Sequence, residues 1–350
     1  MSKAASSNTQ ERTPLSPAPL MQLATGFYSF ETFATAVELN LFTRLAGGRR
    51  VTVEELAAEL GFEHRPADLL LVACASLGLL VKDGDAYRNS PLAEEFLVVG
   101  RPAYFGGFVR YCEHREYLGW HRLMEALRGN RPVTWDPRTQ DSVFADVDPE
   151  MLELFWEAMH SLSMSTAACL ADVFDFTGHA RLLDVGGGSG AFPIVLCRRY
   201  PHLRATVYDL PHVCRLAQDK IDAAGLGEAI LTQSGDFRAG DLPGSHDVIL
   251  LSNVLHDWDE GTDRDLLAAC HRALTPGGVV LISELLLNTE RTGPPAAALM
   301  GMNMLVETAG GKNYSAEEIT AWLVGSGFED THVIGLDAAG ANGVVVAHKH

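Results

Sequence analysis

A doubly wound α/β domain behind a mainly helical N-terminal unit is the fold class this sequence predicts, and three observations predict it. After about residue 175, short apolar runs alternate with helix-length segments. The first of those runs ends in a cluster of glycines. Before residue 175, apolar residues recur mostly at helical spacing and lead into a short ribbon.

The runs are "ARLLDV", "ATVYDL", "AILTQS", "DVILLS" and "GVVLISE". They lack polar alternation, which is how parallel strands covered on both faces read. The closing "DTHVIG" and "GVVVAHK" are expected to form an edge hairpin. Upstream, helices are expected in "LMQLATGFYSFETFATAVELNLFTRL", "TVEELAAELG" and "RPADLLLVACASLGLL", followed by the ribbon "LLVKDGDAYRNS" with an Asp-Gly turn. Three helices and a ribbon make a winged-helix pattern, which often reads DNA. Here the third helix, 66–77, has Arg65 beside it and almost no other positive charge, so a dimerisation and lid module is the reading taken. The expected division is a disordered leader over 1–19, the winged-helix-like unit over 20–110, connecting helices lining a substrate pocket over 111–175, and a ligand-binding domain over 176–350. The one evident linker is the polar stretch "RGNRPVTWDPRTQDS".

Composition limits the partners. The 350 residues are 47% apolar and carry a formal charge of −18. Basic clusters such as "RLAGGRR" and "CRRY" are short and local, so a phosphate-tracking surface and a nucleic-acid partner are not expected. No apolar run approaches the ~20 residues of a membrane span, and the polar N-terminus has no signal-like apolar core. Six cysteines are scattered without a C-x-x-C pair, which suits reduced thiols better than zinc or disulfides. A soluble cytoplasmic protein with no membrane partner is expected.

The glycine cluster "LLDVGGGSGAFP" follows the first strand and opens a helix. Such a turn brings backbone close to a ligand at the carboxyl edge of the sheet, although glycines also serve ordinary tight packing. Two neighbours strengthen the ligand reading. Asp209, in "VYDLP", ends the next strand about twenty residues on, where a carboxylate can accept from both ribose hydroxyls. Asp236 and Phe237, in "GDF", follow the third strand and offer a carboxylate to an exocyclic amine and a ring to stack on adenine. Gly186, Gly188 and Ala191 also satisfy the dinucleotide pattern, which raises a nicotinamide dehydrogenase as a rival. Against it, Asp184 stands directly before the loop, where it would face a pyrophosphate with like charge. A cationic ligand such as S-adenosylmethionine, with a sulfonium, an ammonium and no phosphate, suits it better.

The stretches "LLDVGGGSG", "VYDLPHV", "GDF", "VLHDW", "LTPGG", "LISELLL" and "MNMLVETAGGKNYSAEE" occur in this order in small-molecule O-methyltransferases of the acetylserotonin and caffeate type. From about residue 20 to its end the chain resembles that family. The resemblance implies a Rossmann-like class I methyltransferase domain, S-adenosylmethionine as cofactor, and a winged-helix dimerisation domain. It implies cofactor contact at Gly186, Asp209, Asp236 and Phe237, with Ser163 near the methionine tail; Asp184, Gly188, Leu210 and Ser252 complete the expected cofactor set. It makes His256 the catalytic base, with Glu284 orienting it, and lets Met159 and Met304 flank a small-molecule acceptor, with Asn303 and Asn313 assigned there too. The apolar helices from Leu20 to Leu45 support an expected homodimer.

An imidazole where a buried strand meets a loop has a use in this chemistry. A phenol with pKa near ~10 is protonated at neutral pH, and methyl transfer needs electron density on oxygen. His256, in "HDWDE", can remove that proton. Asp257 could polarise the site or cap the helix begun by "DWDEGTDRDLL", and both readings stay open. Glu284 is placed either to hold the ring or as a surface carboxylate at a strand end. The methionines could equally be core filler.

One position departs from the family pattern. A glutamate that helps orient the histidine usually follows "GGK", whereas this chain has Asn313. An amide can hold a ring by a hydrogen bond but cannot stabilise an imidazolium by charge. Carbon methylation of a 2-oxo acid or enol, in some relatives with a metal at the histidine, is therefore kept as a rival to oxygen methylation. Glu307 would be its second ligand, although a solvated helix face is the preferred reading and no metal is expected. A transcriptional regulator on a non-catalytic domain would need a basic recognition helix, which is absent.

Overall fold

The computed structural model describes residues 15–140, 144 and 149–350. Internal contacts divide the chain into two units after Ser90. Most of the leader expected over 1–19 lies outside the described residues, and helix begins at Ala18.

In the first unit, α1 (Ala18–Ala24), α2 (Gly26–Glu38) and α3 (Leu41–Arg44) precede β1 (Val51–Thr52), α4 (Val53–Leu60), α5 (His64–Ser76), β2 (Leu80–Asp83) and β3 (Ala86–Asn89). The strands pair in the order β1-β3-β2, so helices with a small wing are present as expected. Local sequence explains α4. Thr52 accepts from the Glu55 amide while the Glu55 carboxylate accepts from the Thr52 amide, a reciprocal N-terminal cap, and Gly61 at φ 68 ends the helix. α1 buries no side chain, and Leu20, Met21, Leu23, Phe27 and Tyr28 are all exposed, leaving an apolar face on this unit.

The second unit begins with the short helices α6 (Pro91–Phe96), α7 (Gly106–Tyr111), α8 (Tyr117–Trp120) and α9 (Leu123–Gly129), with a π-helical turn over Cys112–Glu116 between α7 and α8. The long α10 (Pro149–Val173) follows. Then come β4 (Arg181–Val185), α11 (Ala191–Arg199), β5 (Arg204–Asp209), α12 (Pro211–Ala223), β6 (Ile230–Ser234), β7 (His246–Ser252), α13 (Glu260–Ala273) and β8 (Leu274–Glu284). After these, α14 (Pro295–Glu307), α15 (Ala316–Gly325), β9 (Glu329–Gly335) and β10 (Gly343–His348) complete the chain.

The sheet order is β6-β5-β4-β7-β8-β10-β9. The first five strands are parallel, and β10 runs antiparallel to both its neighbours. The closing pair is therefore a hairpin with β9 alone at the edge. Alternate strand residues serve two cores. Leu182, Val248, Leu250, Val279, Leu281 and Val344 pack with Ala167, Leu170 and Leu196 of α10 and α11 on one face. On the other, Leu183, Val185, Ile249, Leu251, Val280 and Ile282 pack with Leu266, Cys270, Trp322 and Leu323 of α13 and α15. Burial on both faces is why these strands read as unbroken apolar runs. The strand order reverses between β4 and β7, and it is outside the carboxyl ends at such a reversal that doubly wound sheets hold ligands.

Candidate functional site

Beyond Val185 the chain turns through glycines before α11, with Gly186, Gly188 and Gly190 at φ 67, 54 and 73. L side chains rarely take that conformation. The space is also full: a Cβ on Gly188 would lie 2.8 Å from the Trp156 ring, and one on Gly187 would lie 2.6 Å from Asp184 Oδ2. The loop is thus pinned between the end of β4 and the side of α10.

Three acidic residues stand on successive strand ends. Asp184 is buried, its Oδ2 has no hydrogen-bond partner, and burial together with nearby Asp209 pushes its carboxyl up to about 8. Asp209 Oδ2 accepts from the Gly188 amide at 2.8 Å and Oδ1 from the Leu210 amide at 2.7 Å. Burial raises it to about 6 against the pull of those two N–H groups. Asp236 accepts from the Arg238 side chain and backbone, which holds it below the usual carboxylate range. The Phe237 ring meets Trp258 edge-on at 5.5 Å, and the Arg238 guanidinium sits 5.0 Å from the Trp258 ring centre.

His256 lies in a 3₁₀ turn, Leu255–Asp257, just beyond β7. Ser252 and Ser283 are register partners in adjacent parallel strands, so Glu284, the last residue of β8, comes up beside it. Glu284 Oε1 accepts from the amides of Val254 and Leu255, both at 3.0 Å, and Oε2 lies 2.6 Å from His256 Nδ1. The carboxylate is buried, which removes the surface reading of Glu284. Burial alone would lower the imidazole pKa, but the charges of Glu284 and Asp257 outweigh it and hold the ring at about 9.

Asp257 Oδ1 is 3.7 Å from His256 Nε2, and burial lifts this carboxyl to about 6 against the pull of His256. Its alternative role as a helix cap is corrected. Asp259 caps α13, accepting from the Thr262 amide at 2.9 Å, because only its backbone is at the helix boundary.

These groups open on one cavity of about 250 Å³. The expected cofactor residues Ser163, Asp184, Gly186, Gly188, Asp209, Leu210, Asp236, Phe237 and Ser252 all line it. So do His256, Asp257, Met159, Asn303 and Met304. Glu284 stands behind His256 and does not. Asn313 does not line it either; its buried amide donates to the Leu285 carbonyl at 2.7 Å, holding strand-end backbone rather than the histidine ring. Glu307 corrects the expectation of a solvated helix face. It is 5% exposed, lines the cavity and pairs with Arg115 at 3.1 Å.

Sequence reasoning missed Phe105, Arg238 and Trp258. The helices expected to line the pocket supply Phe108, Tyr111, Glu116, Phe155 and Trp156, although core packing explained their aromatic content equally well. One signal was available: Trp156, Met159 and Ser163 are spaced to share a face of α10. The apparent linker also contributes. Trp135 Nε1 donates to the Glu307 carbonyl and Thr134 Oγ1 to the Glu307 carboxylate at 2.9 Å.

A family model described as the O-methyltransferase domain matches residues 120–329, and one described as the O-methyltransferase dimerisation domain matches 21–99. The 3-hydroxy-5-methyl-1-naphthoate 3-O-methyltransferase of Streptomyces sahachiroi is 45% identical over 95% of each chain. The tetracenomycin polyketide synthesis 8-O-methyl transferase of Streptomyces glaucescens is 35% identical over 90% of this chain and 92% of its own. Human N-acetylserotonin methyltransferase in complex with S-adenosylmethionine superposes with a TM-score of 0.82 at 27% identity, covering 97% of this chain and 99% of the other. The residues present fit a cationic adenosine ligand. Asp184 Oδ2 and Ser252 Oγ are buried polar atoms without partners at the glycine turn, and Asp209 keeps lone pairs beyond its two backbone bonds. Among the described residues no helix is long and apolar enough to cross a membrane. The chain belongs to the S-adenosylmethionine-dependent O-methyltransferases, and carries that family's dimerisation domain toward its N-terminus.

Proposed function

We propose that the protein methylates a hydroxyl of a fused aromatic small molecule in secondary metabolism, with His256 as general base. The observation that carries this is the buried His256–Glu284 pair at a cavity walled by aromatic and methionine side chains. The hydroxynaphthoate in the name of the Streptomyces sahachiroi relative supports a bicyclic acceptor. Phe105, Phe108, Tyr111, Met159 and Met304 supply flat apolar surface for one.

When bound, S-adenosylmethionine supplies an electrophilic methyl group on a positively charged sulfur. Asp209 would hold the ribose hydroxyls, Leu210, Asp236 and Phe237 the adenine, and Ser163, Ser252 and Asp184 the amino-acid tail, with Gly186 and Gly188 giving the backbone room. Glu284, fixed by two amides, would accept a hydrogen bond from His256 Nδ1, so that in the neutral ring Nε2 is the acceptor. Nε2 would take the hydroxyl proton, leaving electron density on the oxygen to be methylated, and the ring would later return its proton to solvent.

The energetics suit this transfer. A phenol near ~10 giving its proton to an imidazole whose acid form sits at about 9 moves it uphill by only roughly 1.4 kcal/mol. Asp257 adds charge that favours the imidazolium. Asn313, hydrogen-bonded to backbone, gives the ring no such charge, and Glu284 and Asp257 take that part.

The exposed apolar face of α1 and α2 supports a homodimer burying more than ~2,000 Å². A monomer mass by light scattering at micromolar concentration would remove this reading. The six cysteines, all free, support a reducing cytoplasmic location.

The test is a screen of naphthols with methyl-labelled cofactor read by mass spectrometry. A labelled methyl ether is expected. Label found on ring or side-chain carbon instead would replace oxygen methylation with carbon methylation.

A further inference from the structure

Two residues lining the cavity each carry a buried carboxylate oxygen without a partner, Asp184 Oδ2 and Glu307 Oε1. The first belongs to the glycine turn and the cofactor. The second lies on α14 beside Asn303 and Met304, within electrostatic reach of Asp257, and so at the end of the cavity where the acceptor reacts.

Resting on the reading of this cavity as an acceptor site, we propose that Glu307 determines specificity: its Oε1 accepts a hydrogen bond from a second donor, a hydroxyl or an amide N–H, carried by the aromatic acceptor.

The neighbouring polar groups are already engaged. Glu116 Oε1 accepts from Asn303 Nδ2 at 2.8 Å and its Oε2 from Cys112 Sγ at 3.2 Å. Asn303 Oδ1 accepts from Trp120 Nε1 at 2.7 Å. Glu307 Oε2 takes Arg115 Nη2 at 3.1 Å and Thr134 Oγ1 at 2.9 Å, which fixes the orientation of the carboxylate and leaves Oε1 as its unused half. A buried acceptor without a donor is costly, and a ligand that supplies the donor recovers that cost. Sites built this way reject analogues lacking the matching group far more strongly than apolar pockets reject a change in size. A carbonyl or carboxylate placed against Oε1 would meet lone pairs with lone pairs.

The substitution Glu307→Gln tests this with a change of sign. Arg115 and Thr134 demand an oxygen at the Oε2 position, so the amide must place its NH₂ at the Oε1 position. The acceptor becomes a donor with almost no change of shape.

The experiment measures equilibrium binding to the complex with S-adenosylhomocysteine by calorimetry, using dihydroxynaphthalene isomers, the matched mono-naphthols, and the acetyl-naphthols that carry a carbonyl at the same positions. Binding is read rather than turnover, so the result stands whether or not His256 acts as the base. At least one diol should bind the wild type about ten- to a hundredfold tighter than its mono-ol. In Glu307→Gln that ratio should fall below about threefold and the acetyl-naphthol should gain, with S-adenosylhomocysteine affinity unchanged. Should Glu307→Gln fail to fold, Glu307→Asp keeps the charge for Arg115 and draws the oxygen back by one methylene; it should shrink the ratio without inverting it. Diol-to-mono-ol ratios under about threefold across the wild-type panel, or a ratio indifferent to both substitutions, would overturn the proposal.

Discussion

The two ends of the cavity are built differently. At the glycine turn, Asp184, Gly188, Asp209 and Asp236 come from the carboxyl ends of consecutive strands, each within a few residues of an apolar run. At the acceptor end, the wall joins residues far apart in the chain: Trp120 and Asn303 meet across 183 positions, Arg115 and Glu307 across 192. The cofactor end follows from the sheet, because the carboxyl ends of parallel strands must converge there. Nothing local dictates the acceptor end; it depends on how α14 meets the short helices of residues 106–129.

If the two ends act separately, substitutions should separate them. His256→Ala has the largest expected effect: kcat falls by about two to four decades, the worth of a positioned base, while S-adenosylhomocysteine affinity by calorimetry stays within about twofold. Full activity on a phenol would leave alignment alone to carry the reaction. Asp209→Ala should do the reverse, weakening S-adenosylhomocysteine about ten- to a hundredfold through loss of hydrogen bonds to a charged group. Unchanged affinity would mean that the ribose is held elsewhere.

Asp184 sharpens the contrast through pH. Its carboxyl, at about 8, is protonated in the free protein at neutral pH, and a cationic ligand pairs only with the ionised form. Cofactor binding then releases a proton, so affinity should rise by up to about tenfold per unit as pH approaches 8 and level off above it. Asp184→Asn should flatten that slope in calorimetry; a slope that survives assigns the released proton to another group.

At the other end, the His256 ring at about 9 must be neutral to act as base, so kcat/KM should climb with pH toward 9. The sign for stability is opposite. A raised imidazole pKa stabilises the fold fully below about 6.5, and that contribution is lost as pH rises through about 9. Glu284→Gln removes the strongest charge raising the ring, and should move the kcat/KM midpoint down by about one to three units with a lower plateau. A midpoint that stays put would show that Glu284 does not set the ring's charge. Smallest is the effect of chelator: EDTA should alter turnover by less than about twofold. Loss of activity restored by divalent metal would return carbon methylation with a metal at His256 to the front.

How much of this was legible without coordinates follows the same division. The strand runs, the glycine turn, Asp209 and the His256–Glu284 partnership could be read because each is either local or carried by motif order. Asp257 was legible only as a choice between two roles. Its neighbour Asp259 takes the cap, a matter of one residue in where the helix starts, and sequence boundaries are no finer than that. Asn313 was expected near the acceptor, yet its short amide reaches the Leu285 carbonyl first.

Sequence by itself determined the doubly wound sheet, the glycine turn with acidic residues at the neighbouring strand ends, and an imidazole beyond the next strand, because apolar period and strand-end chemistry are written within a dozen residues of each other. Only the tertiary structure decided that Glu307, polar and one turn beyond Asn303, is buried with a half-used carboxylate. It also decided that the stretch resembling a linker bonds to it through Thr134 and Trp135. The physical reason is that burial and pairing of a charged side chain depend on what distant segments bring to it, and a helix's own sequence does not carry that information.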